Sequence, residues 1–149
     1  MKSTLSLAQY VKKRNGVPLG ASDSMKNMLS RSFGASSFPA FWNHWNPIWG
    51  YYLSRNVLRP LANFLPIYLA TFTTFLFSGA LHDIAVSIVK WKIILFFTPW
   101  FGLMGLIVIF SKWAGISYGQ VSWPVRALTN ASFIFVSLGV TYFLETLYA

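Results

Sequence analysis

Cysteine is absent and acid is nearly so: the 149 residues carry only three carboxylate side chains, Asp23, Asp83 and Glu145. Without cysteine there is no disulfide, no thiolate metal site and no cysteine-borne acyl intermediate. The three acids and the two histidines, His44 and His82, are scattered and give no recognised metal-ligand spacing. Charge of either sign is scarce, at 10% of residues against about 25% in soluble domains. A surface so poor in charge cannot be dressed for water. The sequence also lacks a glycine-rich phosphate loop, a G-x-S-x-G elbow, internal repeats and low-complexity tracts. Its first residues contain no continuous apolar run, so a cleavable signal peptide is not expected.

What is abundant is apolar. Hydrophobic residues make up 55% of the chain and aromatics 19%, and the mean hydropathy is +0.51. The expected fold class is an all-α integral membrane protein, with about three transmembrane helices preceded by interfacial amphipathic helices. The length suits one domain. The net charge of +9 comes from bases that flank apolar runs. Anionic headgroups or a phosphate-bearing substrate are therefore expected partners rather than nucleic acid.

Residues 1–37 read as a basic surface arm with two short helices, broken by Gly16, Pro18 and Gly20. Residues 38–60 read as an aromatic, interfacial helix pair. Phe38, Phe41, Trp42, Trp45 and Trp49 fall at one-face helical spacing. Asn46-Pro47 reads as an N-cap followed by proline at the first helical position, with Pro60 as the stop. Residues 61–149 form the membrane domain, with spans at 61–89, 93–110 and 127–148 and kinks at Pro66 and Pro99. Counting bases beside three spans places ten on the N-terminal side and two opposite. The N-terminus is then expected in the cytoplasm and the C-terminus across the membrane.

Two polar clusters interrupt the apolar runs. On a helix, residues three and four apart share a face, so His82 lines up with Ser78 and Gly79, and Asp83 with Gly79 and Ser87. Asp83 therefore cannot orient the ring of His82 within a straight helix. A Ser78 hydroxyl or a group from another helix is the better partner. An ionisable residue at membrane depth raises a functional hypothesis by default. Uncharged imidazole can take the proton of a hydroxyl as that oxygen attacks an activated acyl carbon. The alternatives are a polar contact that fixes span packing, or a path for protons or ions. In the second cluster, Asn46 is either a helix cap or a donor to a substrate carbonyl, and His44 reads as an interfacial side chain.

Three runs, Phe38-Pro39-Ala40-Phe41-Trp42-Asn43-His44-Trp45-Asn46-Pro47, Arg55-Asn56-Val57-Leu58-Arg59-Pro60-Leu61 and Phe77-Ser78-Gly79-Ala80-Leu81-His82-Asp83, together resemble the membrane-bound O-acyltransferases (MBOAT). The flavour is that of the sterol, diacylglycerol and wax-ester branch, over the C-terminal catalytic half of the family fold. The resemblance implies that His82 is the catalytic histidine and Asn46 the second motif residue. Ser78, Trp42, Trp45, Arg55 and Arg59 are the substrate-binding candidates, Arg55 and Arg59 because they stand four apart on a helical face suited to phosphates rather than through any motif match. The implied reaction carries an acyl chain from a thioester, usually acyl-CoA as co-substrate, to a hydroxyl on a lipid, alcohol or sterol, with no further cofactor. The implied setting is a bacterial inner membrane or the endoplasmic reticulum. Enclosing both substrates would call on further copies of the chain or a second subunit. The rival expectation is a non-catalytic membrane subunit or scaffold of the same descent.

Overall fold

A computed structural model describes residues 4–149, and every regular element among them is a helix. Helix α1 (Leu7–Asn15) starts on a reciprocal cap in which the Ser6 hydroxyl accepts the Gln9 N–H and the Gln9 side chain accepts that of Ser6. It ends where Gly16 turns left-handed, at φ 78°. Asn15 is buried and ties α1 to α2 (Ser24–Phe33): its Nδ2 donates to the Ser24 carbonyl, and Asn27 Nδ2 donates to its own. Helix α1 lies on the segment Pro47–Leu53 through an edge-on contact of Tyr10 with Tyr51.

Helix α3 (Phe38–His44) is capped by the Ser37 hydroxyl. It drives Phe38 and Phe41 into the core beside Ala35, Met104 and Val108. Asn46 caps α4 (Pro47–Leu53) from a left-handed backbone, φ 41°, accepting the Trp49 N–H on Oδ1. Asparagine tolerates that region better than most residues. Pro60 does not stop this helix. It lacks the N–H that Asn56 would receive, and its ring would crowd the same carbonyl. The chain widens instead into a π segment (Ser54–Leu58), in which the Arg59 N–H reaches the Ser54 carbonyl, and continues as α5 (Arg59–Ala62).

Helices α6 (Ile67–Lys90) and α7 (Phe97–Trp113) form an antiparallel hairpin. A Cβ on Gly79 would come within 2.6 Å of the Phe97 carbonyl, and one on Gly105 within 3.0 Å of the Phe75 side chain. Small residues at the crossing let the backbones meet, as in membrane helix pairs. Gly79 thus serves a neighbouring helix. Asp83 closes the hairpin by accepting four hydrogen bonds, from the backbone N–H of Phe96, Phe97 and Thr98 and from the Thr98 hydroxyl, at 2.6–2.9 Å. It is the N-cap of α7, delivered from another helix. The helix dipole reinforces it.

Helix α8 (Trp123–Tyr148) is anchored to the end of α2 by buried Asn130, whose Nδ2 donates to the carbonyls of Phe33 and Ala35 at 2.9 and 3.0 Å. The Tyr118 hydroxyl donates to Asn130 Oδ1. Burial pushes that phenol up to about 12 from 10.0. Further along, Trp100 Nε1 donates to Ser137 Oγ at 3.1 Å and joins α8 to α7.

Two helices, α6 and α8, are long and apolar enough to cross a membrane, and only 17% of the most apolar stretch of each is buried. A core helix of a water-soluble protein would be mostly covered. Two of the three expected spans thus have candidate helices. The middle helix has 17 residues, or about 25 Å against a hydrocarbon core of about 30 Å. Asp83 sets its start at residue 97 rather than 93 by capturing the N–H groups of 96–98. Pro99 falls in the first turn, where no N–H is needed, and introduces no kink there. Pro66 likewise ends a turn and precedes α6 rather than bending it.

Candidate functional site

Thr71, Phe75, Ser78 and His82 of α6 open onto a cavity of about 270 Å³. The opposite wall comes from the aromatic layer at Trp42, Trp45, Asn46 and Trp49, and α7 supplies Phe101, Val108 and Lys112. Thr71 and His82 are eleven residues apart on α6, as are Phe101 and Lys112 on α7. At 1.5 Å per residue the cavity therefore follows the hairpin for roughly 16 Å. His82 and Phe101 stand at one end and Lys112 at the other.

His82 is half-buried and its ring is boxed by aromatics, 4.9 Å from Phe101, 5.7 Å from Phe97 and 6.2 Å from a perpendicular Trp49. Its Nδ1 lies 2.6 Å from the Ser78 carbonyl oxygen one turn back. A carbonyl can only accept, so Nδ1 carries the proton, and in the uncharged ring Nε2 holds the free lone pair. The Ser78 partner is thus its carbonyl rather than its hydroxyl. The hydroxyl accepts from Trp49 Nε1 at 3.0 Å and locks the indole beside the histidine. Among the described residues five side-chain polar atoms are sealed without a partner, Arg14 Nε, Asn15 Oδ1, Ser24 Oγ, Ser32 Oγ and Trp42 Nε1, and Nε2 of His82 is not among them.

Five of the seven residues singled out from sequence line this one cavity: His82, Asn46, Ser78, Trp42 and Trp45. Arg55 and Arg59 do not. Arg55 donates to the Tyr51 hydroxyl at 2.7 Å, and both side chains are exposed elsewhere. The cations that do line it are Arg14, stacked 5.2 Å over the Tyr10 ring, and Lys112. Among the described residues no carboxylate lines the cavity. Nothing in the Lys12-Lys13-Arg14 run separates Arg14 from its neighbours. It is singled out only once α1 docks on α4.

Asn46 has its Oδ1 occupied by the helix cap, which leaves the amide N–H groups for other work. Asp83, one residue from His82, faces α7 and takes no part in the cavity. Among the described residues no group of three or more His, Asp or Glu side chains is placed to hold a metal ion. Compared with protein-family models, curated proteins and solved structures, the chain matches none.

Proposed function

We propose that the chain is an integral membrane O-acyltransferase in which His82 is the general base. The observation that carries this reading is the pairing of His82 Nδ1–H with the Ser78 carbonyl, in a ring that lines the same cavity as Asn46. The ring is fixed in the tautomer a base needs, with its acceptor nitrogen uncommitted. The acceptor hydroxyl gives its proton to Nε2 while its oxygen bonds to the carbonyl carbon of the thioester. The C–S bond then breaks and the proton passes from Nε2 to the leaving thiolate. The products are an ester and a free thiol.

An Asn46 amide N–H suits the carbonyl oxygen as charge builds on it. Arg14 and Lys112 supply cations for the phosphates of an acyl-CoA donor, the task the sequence had suggested for Arg55 and Arg59. The cavity lies just under the usual 300–1,000 Å³ of ligand sites. It suits the reacting ends, while acyl tails run along the exposed apolar faces of α6 and α8 or against a second copy.

A second reading has its own support. Asp83, Asn130 and the Asn46 side-chain oxygen are all engaged in holding backbone groups, as a scaffold subunit requires. Incubating the purified chain in detergent with labelled acyl-CoA and a panel of alcohols separates the two. An acyltransferase forms ester, and His82→Ala lowers the rate by about 10²–10⁴-fold while Lys92→Gln, in the 91–96 connection, leaves it unchanged. A scaffold yields no ester with any alcohol.

A further inference from the structure

We propose that a second cavity, walled by α2, α3 and the start of α8, binds a phosphate group, independently of any acyl transfer. Its volume is about 530 Å³ and it is lined by Arg31, His44, Arg126, Ser30, Ser36 and Trp123. Each basic side chain is held there by backbone. Arg126 donates from Nε to the Gly34 carbonyl and from Nη1 to that of Val121, both at 2.7 Å, which leaves Nη2 free of these bonds. Arg31 Nη1 and His44 Nδ1 converge on one oxygen, the Arg14 carbonyl, at 3.3 and 2.9 Å.

Glycines make these positions available. A Cβ on Gly16 would stand 2.3 Å from Arg31 Nη2, so the guanidinium lies directly against that glycine. Among the described residues no carboxylate lines the cavity. Two guanidinium groups gathered without an acid repel one another unless an anion joins them. Guanidinium forks match phosphate oxygens.

The cavity also sits where a lipid phosphate would be. Trp123 begins α8 with its Nε1 donating to the Ser30 carbonyl at 3.0 Å, and Val125 and Leu128 beyond it are exposed. Indoles at the entry of an apolar helix belong at headgroup level. The helix N-terminus adds partial positive charge at the same point.

The test is lipid selectivity of the full chain in phosphatidylcholine nanodiscs, read as the immobilised fraction of spin-labelled phosphatidic acid against spin-labelled phosphatidylcholine. Phosphatidic acid should be preferred, and Arg31→Gln, at an exposed position, should reduce the preference about fivefold. Arg31→Lys should lose less, and Lys92→Gln should lose nothing. Inorganic phosphate that displaces the label identifies the phosphate group alone as the ligand. Failure to displace it assigns part of the binding to the acyl chains beside Trp123. Equal association of the two lipids, or an equal loss in Lys92→Gln and Arg31→Gln, overturns the proposal.

Discussion

Residues 82 and 83 are neighbours on α6, turned about 100° apart on the helix, and they meet opposite fates. The carboxylate of Asp83 is saturated by four donors and faces the α7 start. The imidazole of His82 has one nitrogen fixed on a carbonyl and the other without a hydrogen-bond partner among the described residues, beside a cavity. A buried polar group whose every valence is met holds the fold together. One left half-met in the same setting is free to react.

Substitution should break this contrast cleanly. Asp83→Ala strands three backbone N–H groups and the Thr98 hydroxyl in apolar surroundings. It should lower stability by about 3 kcal/mol or more, seen as a large drop in the unfolding temperature in detergent. His82→Ala removes a single hydrogen bond from the fold and should cost only about 1 kcal/mol in the same assay. If the two variants melted together, the division of labour would be wrong. Next in size is Gly79→Ala. Its new methyl meets the α7 backbone, not a side chain that can swing away, so a loss of about 1–3 kcal/mol is expected, with weakened hairpin packing.

The smallest effect concerns the anchor of α8. Tyr118 is held protonated up to about 12 by burial. Its folded value lies above the unfolded 10.0. The stability it contributes is therefore complete below pH 10 and falls as the pH rises towards 12. Tyr118→Phe should flatten that part of the alkaline unfolding curve, and an unchanged curve would remove the argument.

How far the fold could be read from residues alone depended on how local each cause is. The Asn46-Pro47 cap and the helix break at Gly16 arise from interactions within a few residues, and both are present. The start of α7 was misplaced because its cap comes from Asp83, thirteen residues before the first N–H it receives. Pro60 misled for a related reason, because a π segment absorbs a proline that a regular helix would not. His82 and Asn46 could be singled out as polar breaks in apolar runs. Their convergence, and the choice of Arg14 and Lys112 over Arg55 and Arg59, required the docking of α1, α3 and α4 on the hairpin.

The most direct test of the open nitrogen is ring ¹⁵N NMR of histidine-labelled protein in detergent near neutral pH. There are only two histidines, and His44→Gln assigns the remaining signal to His82. The result expected is a proton on Nδ1 and a bare lone pair on Nε2, with the Nε2 shift moving when an alcohol acceptor is added. A ring protonated on Nε2 alone, or one blind to every acceptor, would contradict the assignment of His82 as a poised base.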